Sequence, residues 1–264
     1  MKLLFTLKIC VLISMALYGC SDPLSSDSKT GIAGMAALQT PVLRDTQGNV
    51  YGYLEYLPVD FDPLKKKLYP VIFYWNGQNA ISGNGREDIG KLLTQGLPQY
   101  INEGQHYPAI IVSGMLPDWK NNKVKPFIEY ILNRYDQFID KERIYMTGFS
   151  AGGGVTMRYA AAYPEHLAAI IPISAAAQPP SKNGIHEGLK NVSSWFFHNS
   201  GDAKVEVWRS NAWNRALKAL GGEHKITRPD SDSHYAWQDT YSSPEVWEWL
   251  LNQRKHAVTL SDLK

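Results

Sequence analysis

The sequence predicts an α/β domain, a mostly parallel sheet with helices on both faces. Three observations predict it. From residue 50 onward, short apolar runs alternate with amphipathic stretches, the order expected of strands joined by helical crossovers. The run Val71-Ile72-Phe73-Tyr74-Trp75 is apolar at every position, which suits a strand buried on both faces. No repeat of 20 to 50 residues and no second boundary is visible, so residues 46–256 read as a single domain.

In chain order, residues 50–57 mix aromatic and aliphatic side chains up to Pro58 and predict an early strand. The 71–75 strand enters from Pro70 and leaves into Asn76-Gly77-Gln78-Asn79. A helix is expected over 91–102 and a strand over 109–113. Residues 124–138 carry Phe127, Ile128, Ile131, Leu132 and Tyr135 at helical spacing, which gives one apolar face. Strand 144–147 precedes a helix over 155–163 that Pro164 stops. Strands over 168–173 and 195–198, a helix over 205–220 ended by Gly221-Gly222, a short strand at Ile226-Thr227 and a last helix over 244–252 complete the domain.

The composition is that of an ordinary globular chain, 44% hydrophobic and 20% charged in 264 residues. The formal net charge is only +2, and the densest basic cluster is Lys65-Lys66-Lys67, too short for a stripe that tracks phosphates, so no nucleic-acid partner is expected. Both cysteines, Cys10 and Cys20, lie in the first twenty residues, so no disulfide is expected in the folded body.

The amino end reads as a targeting segment. Lys2 and Lys8 sit in or beside an apolar run, Leu3-Leu4-Phe5 and then residues 9–17, that ends in small residues, the pattern of a secretory signal over residues 1–19. Leu17-Tyr18-Gly19-Cys20 resembles a bacterial lipoprotein processing box, which implies cleavage before Cys20, a lipid on its thiol and attachment to the membrane of a bacterial cell envelope. The Ser-, Gly- and Ala-rich residues 20–45 then form a flexible tether, and 257–264 a C-terminal tail.

The chemistry starts at Gly148-Phe149-Ser150-Ala151-Gly152. A G-x-S-x-G pentapeptide between a predicted strand and a predicted helix is the nucleophile elbow of α/β hydrolases. Its small residues let backbone and helix approach closely while Ser150 sits in a strained turn with its hydroxyl exposed at the carboxyl edge of the sheet. The backbone N–H of Ala151, in the first helical turn, points at the same spot and can hold a developing oxyanion. A phosphate loop is excluded because Gly152-Gly153-Gly154-Val155 lacks the loop lysine.

A serine hydroxyl needs a base, and this fold supplies the partners in the order serine, acid, histidine. His198 lies in an apolar run and is expected to pack at a strand end. His224, in Gly221-Gly222-Glu223-His224-Lys225, is expected to be exposed, and His166 to be a helix-end residue. His234 occupies the polar loop Pro229-Asp230-Ser231-Asp232-Ser233-His234-Tyr235 between the last strand and last helix, where the base belongs. Asp202, in Asn199-Ser200-Gly201-Asp202, follows the preceding strand and is the candidate acid, since Asp232 and Asp230 lie close to His234 along the chain. The histidines form no H-E-x-x-H or H-x-H cluster, so no metal or other cofactor is implied. Trp119, Trp208 and Trp213 read as core, and Trp237 as a platform near the cleft for an aromatic acid or a sugar ring.

From Gly52 to Leu251 the chain resembles secreted esterases of the α/β-hydrolase superfamily, in the branch with polyhydroxybutyrate-depolymerase-like proteins, feruloyl and acetyl-xylan esterases and predicted peptidases. The segments that carry the likeness are 69–77, 143–153, 163–165, 197–202 and Ser233-His234. The resemblance implies an α/β-hydrolase fold, with nucleophile, acid and base at Ser150, Asp202 and His234, and a second oxyanion donor from the backbone around Gly77 and Gln78. Asn76 stands where relatives usually have histidine, as does Asn199 where they usually have glycine, and Asn76 is placed among the substrate-binding residues. With no long insertion to form a separate lid domain, an open cleft for a polysaccharide or polyester ester substrate is implied. A serine peptidase and a non-catalytic carbohydrate-binding lipoprotein are the alternatives.

Overall fold

The computed structural model describes residues 38–42, 52–78, 89–115, 120–180 and 185–255. The signal over 1–19, Cys20, Trp119 and the tail over 257–264 lie outside them. Among the described residues the strands are β1 (Thr40–Val42), β2 (Tyr53–Tyr56), β3 (Tyr69–Trp75), β4 (Ile110–Gly114), β5 (Ile139–Phe149), β6 (Ala169–Ile173), β7 (Ser193–Phe197) and β8 (His224–Thr227). The α-helices are α1 (Gly96–Asn102), α2 (Asn121–Arg134), α3 (Ala151–Ala162), α4 (Trp208–Leu220), α5 (Trp237–Ser242) and α6 (Pro244–Asn252).

The strands make one sheet in the order β1-β2-β4-β3-β5-β6-β7-β8. β1 and β2 run antiparallel at one edge, and β4 through β8 are parallel. Successive residues of a strand face opposite sides, so a strand covered on both sides has no polar position. In β3, Val71, Phe73 and Trp75 join the core under α2, α3 and α4, with Val124, Phe127, Val155 and Leu217. Ile72 and Tyr74 join the opposite core under α1, α5 and α6, with Leu97, Ile101, Trp237 and Leu250. Every residue of β3 is buried, and each such side chain contributes on the order of 1.5–3 kcal/mol.

Several elements differ from their sequence expectation, each for a local reason. The 91–102 helix is two pieces, a 3-10 turn at Ile89–Thr94 and then α1. Gly96 breaks it, with φ +65° and a position where a Cβ would stand 2.0 Å from the Tyr74 hydroxyl oxygen. The 205–220 helix starts only at Trp208, because the N–H groups of Lys204 and Val205 donate to Asp202 Oδ1 (2.9 and 3.1 Å). The 20–45 span read as tether contains β1, where Pro41 is tolerated because the strand is at the sheet edge. α5 has six residues, too few to give a readable period.

His224 is a correction: it is buried at 4% exposure, not exposed. As the first residue of β8 it pairs with Ser194, and its ring lies so close to Gly222 that a Cβ there would stand 2.4 Å from Nε2. Trp208, expected in the core, is 46% exposed, whereas Trp213 is buried.

Burial, with a smaller contribution from Lys218, pushes the His224 pKa down to about 4, while an unfolded histidine titrates near 6.5. The unfolded chain therefore takes up this proton first as pH falls, and the native state loses stability from about pH 6.5 down to about pH 4. We expect His224→Leu to remove about 3 kcal/mol of that pH dependence. Urea midpoints across this range check it; an unchanged slope would refute the assignment.

Candidate active site

Ser150 stands between the end of β5 and the start of α3 at φ 55°, ψ −115°, in a region that non-glycine residues avoid at an energetic cost of about 1–3 kcal/mol. Its backbone is pinned on both sides. Ser150 N–H donates to the Ile173 carbonyl (2.9 Å), and its own carbonyl accepts from Gly154 (3.0 Å) and Ala176 (2.9 Å). The glycines of the pentapeptide are steric requirements: a Cβ at Gly152 would lie 2.0 Å from the Trp75 carbonyl oxygen, and one at Gly148 would lie 2.5 Å from Gly152 backbone atoms. β3, β5 and α3 therefore meet backbone to backbone, and the first glycines of 152–154 belong to the helix, which starts earlier than its apolar period suggests.

Two further strand ends bring the partners. Asp202 lies in the loop after β7 and His234 in the loop after β8. His234 Nδ1–H donates to Asp202 Oδ2 at 2.7 Å, and Nε2 faces Ser150 Oγ at 2.9 Å. The Nδ1 proton thus points to the carboxylate and Nε2 is left to accept from the serine hydroxyl. Asp202 is buried, and its other oxygen takes the two backbone N–H bonds from Lys204 and Val205. Asp230 and Asp232 are turned elsewhere: Asp230 accepts from the Ser200 hydroxyl (3.1 Å), and Asp232 packs over Gly201.

His198, expected only as packing, does more than fill space. It is fully buried, its Nε2 lies 2.7 Å from the Val205 carbonyl and 3.3 Å from Asp202 Oδ2, and its Nδ1 lies 2.8 Å from Ser210 Oγ. A carbonyl only accepts, so Nε2 carries the proton and Nδ1 accepts from Ser210. Burial pushes the His198 pKa down, which keeps the ring neutral. The ring clasps both ends of the loop that carries Asp202. Ser174, at φ 41° beyond β6, similarly holds the histidine loop by donating its hydroxyl to the His234 carbonyl (2.9 Å).

A cleft of about 440 Å³ opens over Ser150, lined by Gly77, Gln78, Gln95, Phe149, Ala151, Ala176, Lys204, Val205, His234 and Tyr235. The backbone N–H groups of Ala151 and Gln78 have no hydrogen-bond acceptor among the described residues, as oxyanion donors require. Three expectations are corrected. The Gly77 N–H is already given to Asn76 Oδ1 (2.8 Å), so it is no oxyanion donor. Asn76 is buried, also accepts from the Tyr74 hydroxyl (3.2 Å) and shapes the loop instead of lining the cleft. Trp237 is 4% exposed and packs edge-on against Phe149 and Tyr100, underneath the cleft. Phe149 also lines the cleft, with its ring 4.8 Å from that of His234, but it is buried, and the aromatic ring exposed there is that of Tyr235. Both flank residues already singled out in the sequence; Gln95, Ala176 and Lys204 reach the cleft only through the fold.

Comparison with known proteins gives a family-model match, Phospholipase/Carboxylesterase, over residues 118–243. A comparison with curated proteins gives no match. Among solved structures, the chain is similar to a thermostable esterase at 25% identity and TM-score 0.63, covering 83% of this chain and 63% of that one. It is also similar to the feruloyl esterase module from Clostridium thermocellum complexed with sinapinate, at 16% identity and TM-score 0.61, covering 84% of this chain and 91% of that one. An acylaminoacyl peptidase matches at 15% identity and TM-score 0.58, covering 86% of this chain and 44% of that one.

The turn at Ser150 makes its own prediction. Gly152→Ala forces a Cβ into a backbone carbonyl that cannot yield as a flexible side chain would. We expect a loss of about 3 kcal/mol or more, read as a lowered urea midpoint; a stability within about 0.5 kcal/mol of the parent would contradict the packing described.

Proposed function

We infer that this chain, which has the α/β-hydrolase fold, is a serine esterase that cleaves carboxylic esters through an acyl-enzyme on Ser150. The observation that carries the reading is the run of two short contacts, 2.9 Å from Ser150 Oγ to His234 Nε2 and 2.7 Å from His234 Nδ1 to Asp202, at the floor of an open cleft. His234 removes the hydroxyl proton as Oγ attacks the ester carbonyl, then returns it to the leaving alcohol. Asp202 fixes the ring orientation and stabilises the imidazolium. The N–H groups of Ala151 and Gln78 receive the oxyanion of the tetrahedral intermediate. Water then repeats the cycle on the acyl-enzyme.

The substrate proposed is a carbohydrate-linked or polymeric ester. Two things support this: the rim of the cleft is open, with exposed Gln78, Lys204 and Tyr235, and one similar structure is a feruloyl esterase module. The peptidase alternative is supported only by the acylaminoacyl peptidase likeness, in which this chain covers 44% of the other. Gly19-Cys20 supports lipid attachment at Cys20 in a bacterial cell envelope.

Fluorophosphonate labelling and hydrolysis of p-nitrophenyl acetate test the reading. The expected outcome is a label on Ser150, with losses on the order of 10⁴-fold in kcat for Ser150→Ala and for Asp202→Asn. Unlabelled Ser150 together with unchanged hydrolysis by Ser150→Ala would refute it. His198→Leu, which unclasps the Asp202 loop, is expected to lower kcat roughly 10- to 100-fold with little change in KM; a KM effect alone would show that His198 does not position the acid.

A further inference from the structure

The cleft over Ser150 carries a charge that the hydrolytic relay does not use. Lys204 lines the cleft, is exposed, and holds its ammonium 5.3 Å from the centre of the Tyr235 ring. Its backbone is fixed by the N–H bond to Asp202 Oδ1, so the side chain starts from a set point at the rim. Among the described residues the ammonium has no ion-pair partner, and the acidic side chains of the two neighbouring loops are committed elsewhere. Asp202 holds His234, Glu206 accepts from Trp208 Nε1 (2.7 Å), Asp230 accepts from Ser200 and Asp232 packs on Gly201. None of the described residues lining the cleft is Asp or Glu. A cation against an aromatic face in a concave site, with no ion-pair partner among the described residues, attracts negative charge.

Its position also assigns a side of the substrate. The alcohol must leave where His234 Nε2 can protonate it, whereas the carbonyl oxygen points to the N–H groups of Ala151 and Gln78. Lys204 belongs to the loop of the acid, and Tyr235 follows the base directly, so both lie on the His234 side. We propose that Lys204 and Tyr235 form a leaving-group subsite that selects esters whose alcohol portion bears a carboxylate, such as the acylated hydroxyl of an acidic sugar or a hydroxy acid. Tyr235 supplies the flat surface and Lys204 the counter-charge. This rests on the esterase reading given above.

The test uses the full chain and two pairs of esters. In the first pair the leaving group differs in charge: 4-acetoxybenzoate and its methyl ester. In the second the acyl group differs: mono-(4-nitrophenyl) succinate and 4-nitrophenyl butyrate. The readout is the kcat/KM ratio, anionic over neutral, in each variant relative to the parent, which cancels the intrinsic reactivity of the esters. For the leaving-group pair the ratio is expected to fall about tenfold in Lys204→Gln and further in Lys204→Glu, and to fall with added salt in the parent only. For the acyl pair it is expected to move less than about twofold. A leaving-group ratio that is the same in all three proteins overturns the subsite. A larger shift in the acyl pair overturns its placement on the alcohol side. Failure of the parent to hydrolyse any of the four esters, with Ser150 unlabelled by fluorophosphonate, overturns the esterase reading itself and is distinct from both.

Discussion

The structure depends on one close contact, the approach of Gly152 to the carbonyl of Trp75. Because nothing larger than hydrogen fits there, α3 can start directly against the end of β3 and β5, and the residue between strand and helix is forced to φ 55°. Strain of this kind survives only where the surroundings over-determine it. Here three backbone hydrogen bonds do so, from Ser150 to Ile173 and to Ser150 from Gly154 and Ala176. The sheet interior, apolar on both faces of β3, supplies the stability against which this turn is held.

The partners of Ser150 reach it from loops far apart in sequence, and each loop is fastened at its base. His198 ties the end of β7 to Val205 and to Ser210 on α4, which leaves Asp202 at the apex of a short closed loop. Ser200 and Gly201 donate backbone N–H groups to the carbonyls of Pro229 and Ser231, so the Asp202 and His234 loops are joined to each other. Ser174 anchors the far side of His234. The side chains of Ser174, His198 and Ser210 thus fix the separation of Ser150, Asp202 and His234.

Neighbouring aromatic residues divide into those that support and those that face outward. Trp237 packs beneath Phe149, and Phe149 in turn contacts His234 and Tyr235. Phe149 and Trp237 are buried and support the one exposed ring of this group, Tyr235, which lies next to Lys204. Only Ala236 separates Tyr235 from Trp237, yet one ring is surface and the other core, because α5 begins at Trp237 and turns it into the sheet face.

The sequence by itself determined the α/β architecture and singled out Ser150, Asp202 and His234, which the fold brings within hydrogen-bond reach of one another. Those signals are local: continuous apolar runs, glycines at a strand-to-helix turn, and polar loops after successive strands. Tertiary structure alone decided the burial of His224 and Trp237, the diversion of the Gly77 N–H to Asn76, the clasp made by His198 and the edge strand at Thr40–Val42. The physical reason is common to all of these. A period or a turn motif is written within a few residues, but whether a ring is covered, or an N–H already spent, depends on atoms that the fold brings from elsewhere in the chain.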